Sequence, residues 1–331
     1  MKILIVTERS CARSLKQIFA LSQKNDVHLI TKRITDVNGP KTTTHYNGTS
    51  ESLDNALLLY KDVDIVYCHS EPSWTVFEIR RILPDKKIVL DIHDAQIWRT
   101  TDPLFQSAEE RLAFNWVDGL VVPSSPCKRI LKSSLPTVVL PPYVNEEFYA
   151  TMSWQRKGGI AYEGRVDVPN NPSFMDYTKY EKACKQFEEV GIPFHIYMPK
   201  SEREPELKKI YDKLCIVHTP LSFEKMIMAM GFHDWGLCGN VDNFREWNLS
   251  MPNKLFEYIA GGLPIIALNA REVGRFVEKH KIGISVKSVE EIKARWDERE
   301  QCQKNVLLKR YDWTMEKHIH LVEDLFKSIL G

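Results

Sequence analysis

Short, unbroken apolar runs recur along the chain, and a stretch with helical periodicity follows each one: Ile3 to Val6, Val27 to Ile30, Asp64 to Cys68, Ile88 to Ile92, Leu120 to Pro123 and Val138 to Leu140. A strand with one wet face alternates apolar and polar residues. A continuous run is covered on both faces, which is the pattern of a parallel sheet lying between layers of helices. After Pro141-Pro142 a polar, aromatic-containing stretch leads to Gly158-Gly159, and the pattern restarts with Ile160 to Tyr162, Phe194 to Met198, Cys215 to His218, Trp235 to Cys238, Ile265 to Leu268 and Ile282 to Val286. A chain of 331 residues exceeds what one core usually holds. The sequence therefore predicts an α/β protein with two Rossmann-like units, residues 1–150 and 151–312. Beyond them, Met315, Ile319, Val322, Phe326 and Ile329 recur three or four apart and predict an amphipathic helix over 313–331.

Charge and cysteine usage exclude several functions. Lys plus Arg (45) nearly balance Asp plus Glu (44), a formal charge of +1, so no overall field draws the chain to nucleic acid or an anionic membrane. Basic pairs such as Arg80-Arg81 and Lys86-Lys87 read as solvated faces, while Lys128-Arg129-Lys132 leaves a weak membrane-surface contact open. No apolar run approaches the roughly 18 residues that span a bilayer. The opening Met-Lys-Ile-Leu-Ile-Val stops at Thr7-Glu8-Arg9 and reads as a strand rather than a signal peptide. Seven cysteines, odd in number and without a Cys-x-x-Cys pair, argue against a disulfide framework or a structural zinc site and point to a reducing, cytoplasmic setting. Cys11 and Cys127 read as incidental. Thr7 to Arg13 contains no glycine, which removes a dinucleotide-dependent oxidoreductase.

Open parallel sheets bind ligands beyond the carboxyl ends of their strands, where loops and helix N-termini converge. Those ends carry Thr7-Glu8-Arg9, His69-Ser70-Glu71, Asp91 with His93-Asp94, Ser124-Ser125, Glu163-Gly164-Arg165 and Gly239-Asn240. Two such units facing one another would enclose a cleft rich in ionisable groups. The one Asp-x-Asp, Asp62-Val63-Asp64, precedes its strand and reads as a solvated turn rather than a metal site.

The most informative segment runs from Pro252 to Ile266, Pro-Asn-Lys-Leu-Phe-Glu-Tyr-Ile-Ala-Gly-Gly-Leu-Pro-Ile-Ile. Pro252 suits the first position of a helix and Gly261-Gly262 its end, which bounds a helix of about nine residues. On it Leu255, Phe256 and Ile259 share one side, and Glu257 and Asn253 point away from the core. A carboxylate is thus displayed close to helix amides able to hold phosphate.

This segment resembles the nucleotide-sugar-binding stretch of GT-B glycosyltransferases, in particular glycosyltransferase family 4. Leu90-Asp91-Ile92-His93-Asp94 resembles the strand end where such enzymes place a His beside the donor sugar, and Tyr162-Glu163-Gly164-Arg165-Val166 the Gly-Arg turn that opens their second domain. The segment from Trp313 resembles their final helix, which packs back on the first domain. The resemblance implies that Glu257 accepts hydrogen bonds from the ribose and that Arg165 and Lys254 neutralise the diphosphate, with Gly164, Ser250 and Asn253 completing the nucleotide site. Asn248 offers further polarity in the loop Gly239 to Met251. Leu249 and Asn170 stand where members often carry Glu and Lys.

The expected reaction is sugar transfer from a nucleoside diphosphate sugar such as a UDP-sugar to a hydroxyl, with retention of configuration and with no metal and no cofactor beyond the donor. A saccharide or lipid-linked saccharide is the expected acceptor, with a hydroxylated nucleobase as the lesser alternative. His93, Asp94 and Glu71 are the candidate catalytic residues. His93 is read as positioning the sugar, and an inverting reaction would draw its base from Glu8, Glu71, Asp94 or His93, among which the sequence does not choose. A nucleotide-sugar epimerase and a non-catalytic nucleotide-sugar binder share these motifs and remain alternatives. The oligomeric state is left open.

Overall fold

A computed structural model describes residues 1–8, 11–32, 38–69, 73–99, 108–150, 157–168 and 178–331. They form two compact units, Met1–Asn145 with Thr314–Gly331, and Glu146–Trp313.

The first unit holds seven parallel strands: β1 (Lys2–Thr7), β2 (Asp26–Thr31), β3 (Thr42–His45), β4 (Ile65–His69), β5 (Lys87–Asp91), β6 (Gly119–Val122) and β7 (Thr137–Val139), in the order β3-β2-β1-β4-β5-β6-β7. Ile3, Leu4, Ile5 and Val6 of β1 are all fully buried, so both faces of this central strand are covered, as its unbroken apolar run predicts. Each contributes about 1.5–3 kcal/mol of burial. β3 escapes the sequence reading because Thr-Thr-Thr-His is polar. As an edge strand it pairs only with β2, and Tyr60 anchors it, its hydroxyl 3.0 Å from Thr42 Oγ1 and 2.6 Å from Thr44 Oγ1.

The predicted C-terminal helix is divided. A 3-10 turn over Arg310–Trp313 is followed by helices Met315–His318 and His320–Leu330, and Met315 N–H donates to Val144 O at 3.0 Å. Val322, Leu325 and Phe326 are buried against the first sheet. Gly119 permits the approach, since a Cβ there would lie 2.5 Å from Ile329 Cδ1.

The second unit holds six parallel strands: β8 (Ile160–Glu163), β9 (Phe194–Tyr197), β10 (Ile216–His218), β11 (Trp235–Gly239), β12 (Ile265–Leu268) and β13 (Gly283–Val286), in the order β10-β9-β8-β11-β12-β13. Tyr162, Tyr180, Phe187, Phe194 and Trp235 fill its core. Each sheet grows outward in both directions from its first strand. The connections therefore part at β1/β4 and at β8/β11, leaving a crevice beyond the carboxyl ends of those strands. Asp62 pairs with Lys2 Nζ, and Asp64 accepts from Lys2 N–H at 2.7 Å, which places both at the amino ends of β1 and β4, away from the crevice. Among the described residues, no helix is long and apolar enough to cross a membrane.

Candidate active site

At the β8/β11 switch point, β8 runs directly into Glu163-Gly164-Arg165. Tyr162 donates its hydroxyl hydrogen to Arg165 O (2.8 Å), and Glu163 N–H donates to the hydroxyl of Tyr258, which donates in turn to Leu237 O (both 3.1 Å). The turn is thereby stapled to the helix Asn253–Ala260 and to β11. Gly164 has φ +131°, and a Cβ there would lie 3.3 Å from Lys254 Nζ. A side chain at 164 would be strained and would crowd the ammonium.

Lys254 Nζ sits 5.1 Å from the Tyr162 ring centroid and 5.2 Å from that of Trp247. Burial alone would lower its pKa, but Tyr162, Glu163, Cys238 and Glu257 outweigh that and raise it, so the ammonium is held charged. Its attraction to the two aromatic faces adds to this.

The helix departs from expectation in two respects. Pro252, with φ −74° and ψ 157°, is the N-cap rather than the first helical residue, and the helix is eight residues long. Glu257 is 3% exposed, not displayed to solvent, because every residue from Leu255 to Ala260 is buried. The amphipathic reading assumed one covered face, and here the whole circumference is covered.

Arg165 is exposed and lies 3.7 Å from the buried Asp167, which also pairs with Arg203 at 3.0 Å. Ser250 and Asn253 are half-buried on either side of Pro252. The expected loop from Gly239 to Met251 contains the helix Arg245–Leu249, with Ser250 as its C-cap. Asn248 is committed inside that turn, donating to Asn243 Oδ1 (2.5 Å) and Phe244 O (3.1 Å). Gly239 and Asn240 are structural: a Cβ on Gly239 would meet Leu268 O at 1.9 Å, and Asn240 donates to Lys179 O.

At the β1/β4 switch point the first unit gathers a buried polar network around Asp91, at the end of β5. Arg13 Nε donates to both carboxylate oxygens (3.1 Å each) and Arg13 Nη2 to one of them (2.9 Å), while Gln17 Nε2 (2.5 Å) and the Tyr67 hydroxyl (3.1 Å) complete the shell. Burial would raise the Asp91 pKa, but Arg13 and His93 hold it well below the usual carboxylate range. His93 Nε2 lies 3.6 Å from Asp91 Oδ2 and 3.1 Å from His69 Nδ1, and its Nδ1 lies 3.3 Å from Cys11 Sγ.

Burial pushes His69 down to about 3. It acts in the same direction on His93, yet Cys11 and Asp91 prevail and raise His93 to about 10. Burial would raise the Cys11 thiol, and His93 instead brings it down to about 7. At neutral pH His93 is an imidazolium facing a sulfur that is about half ionised. Cys11 is therefore not the incidental residue the sequence suggested. It lies 82 positions from His93, and no local motif joins them.

Asp94 is half-buried and lines a cavity of about 20 Å³ with Ser73 and Glu110. Glu8 pairs with Lys32 at 2.7 Å. Glu71 lies outside the described residues, as do Ser70, Arg9 and Asn170.

Residues 173–317 match the family model described as the glucosyltransferase 3-like, C-terminal domain. Sucrose-phosphate synthase from Thermosynechococcus elongatus superposes with a TM-score of 0.75 at 11% identity, covering 99% of this chain and 98% of that one. Anabaena HepE, solved with UDP-glucose, gives 0.70 at 11% identity and 99% of each chain. The fold is that of the GT-B glycosyltransferases. An α-glucosyltransferase solved with UDP and a 13-mer DNA containing an HMU base shares this GT-B fold at a TM-score of 0.64 and 15% identity, over 98% of this chain and 99% of that one. No curated protein matches the chain by sequence.

Proposed function

We propose that this GT-B chain transfers a sugar from a nucleoside diphosphate donor, UDP-glucose being the first candidate, to a hydroxyl acceptor with retention of configuration. One observation carries the reading: at the β8/β11 switch point a glycine turn with φ +131° lies against a charged lysine, on the same short helix as a buried carboxylate. A buried Glu257 suits the ribose hydroxyls, since two hydroxyl donors in a dry site need a fixed acceptor. Breaking the bond to a diphosphate develops about two negative charges on the leaving group, and fixed cations stabilise that charge without reorganisation. Lys254 and Arg165 fill this role, joined by the amides at the start of the helix Asn253–Ala260, with Gly164, Ser250 and Asn253 lining the nucleotide.

In the first unit, His93 acts through position and charge: its two N–H groups are turned to Cys11 and to His69 and Asp91, so it supplies a fixed positive charge and orders its neighbours rather than donating to the sugar. Held as an imidazolium, it has no lone pair with which to act as a base. The neighbours' complexes with UDP-glucose and with UDP and DNA support the donor class and the breadth of acceptors to be screened, from saccharides and lipid-linked saccharides to a hydroxylated nucleobase.

The test is calorimetric titration of UDP and UDP-glucose into the wild type and Glu257→Gln. Removing a charged acceptor from a buried hydroxyl pair costs about 1.5–3 kcal/mol, so Kd is expected to rise about tenfold or more. Equal nucleotide affinity in the two proteins would overturn the assignment.

A further inference from the structure

Three histidines of the second unit converge at a place with no part in the proposed sugar transfer. His195 and Tyr197 leave the same face of β9, and the register places His218 of edge strand β10 opposite Tyr197, so His218 shares that face. His233 arrives from the turn before β11. One ring nitrogen from each of the three lies within 4.8 Å of the other two.

His195 Nδ1 is 3.0 Å from His218 Nε2. Nitrogens bound about 2.0–2.1 Å from a tetrahedral zinc lie about 3.4 Å apart, so this pair is already near the separation that a shared ion requires. His233 Nδ1 lies 2.9 Å from Gly158 O. A carbonyl only accepts, so Nδ1 carries the hydrogen and Nε2 presents its lone pair. Carbonyl-oriented imidazoles of this kind are what metal sites use to fix a ligand's tautomer. His195 is 5% exposed, and its Nε2, the nitrogen not turned to His218, has no hydrogen-bond partner.

We propose that His195, His218 and His233 form a binding site for a divalent transition-metal ion of the zinc class. Three imidazoles with no carboxylate in the set favour zinc, copper or nickel over magnesium or calcium. The half-buried His218 gives the ion its entry, and water takes the remaining position. Tyr197 supplies a wall, its ring stacked on His218 at 4.0 Å, and its hydroxyl, which donates to His233 Nε2 at 2.8 Å in the empty cluster, must turn away to release that lone pair to the ion. The ion would tie the edge strand β10 and its neighbour β9 to the turns at Gly158 and His233. The opposing charge is Lys157, which bears on all three imidazoles.

The other group of possible ligands, His69, Asp91 and His93, is a poor competitor because the Asp91 carboxylate is saturated by Arg13, Gln17 and Tyr67. The experiment uses the full chain, stripped with EDTA, dialysed, and titrated with Co²⁺ followed in the visible and then displaced by Zn²⁺. One equivalent is expected in the wild type and in His93→Ala. His218→Ala should bind about tenfold or more weakly, and Lys157→Met more tightly.

His218 is partly exposed, so that variant keeps its fold, which circular dichroism checks, and it keeps the wild-type affinity for UDP-glucose. Absence of a tetrahedral Co²⁺ spectrum, or an unchanged stoichiometry and affinity in His218→Ala, would overturn the site and leave the nucleotide reading untouched.

Discussion

His93 is held charged between two acidic groups, and its charge sets how Cys11 ionises. The Asp91 carboxylate is neutralised by Arg13, and His93 sits between that carboxylate and Cys11. The consequence is a cysteine that ionises early. Carbamidomethylation of Cys11 by iodoacetamide, followed by mass spectrometry of its own peptide, is expected to rise with pH through an inflection near 7, because the thiolate is the nucleophile and its fraction grows as pH passes the pKa. Ordinary thiols inflect near 8.5. His93→Gln removes the paired cation, so its inflection should move upward toward that value. A wild-type inflection at the ordinary position would show that the pairing does not operate.

At the level of the element, the turn after β8 and the helix Asn253–Ala260 work as one unit. Gly164→Ala introduces a side chain at a φ of +131° and 3.3 Å from Lys254 Nζ. Strain at such a position costs about 1–3 kcal/mol. The expected result is a modest fall in the thermal midpoint together with a larger, severalfold loss of UDP affinity in calorimetry, since the displaced group is the ammonium itself. Loss of stability with full nucleotide affinity would reduce Gly164 to a purely structural role. Elements of this kind were legible because their pattern is local: β12 is read to the residue from Ile265 to Leu268, and the Pro252 to Pro264 segment announces both ends of its helix. β3 was not legible, since an edge strand of threonines needs no apolar face. Nor were the two clusters. Cys11 with His93, and His195 with His218 and His233, are assembled by strand order alone, which sequence spacing does not encode. The burial of Glu257 was misjudged for a related reason, because helix periodicity says which residues share a side and not how many sides are covered.

On the scale of the whole molecule, the first unit is discontinuous: it takes in residues 314–331 after the entire second unit. Val322, Leu325 and Phe326 cover its sheet, and Asn25 Nδ2 donates to Glu323 Oε1 at 2.7 Å. Truncation after Trp313 is expected to expose that apolar face. Limited proteolysis should then cut within residues 1–145 much faster than in the full chain, while UDP still protects 146–313. Equal resistance in both regions would mean that the final helices are dispensable.

The same arrangement sets an order of events on the ribosome. The amino-terminal sheet emerges first but stays uncapped until residues 314–331 have left the exit tunnel, so the unit made second can be the one finished first. In the interval, the uncovered apolar surface is a ready substrate for chaperones.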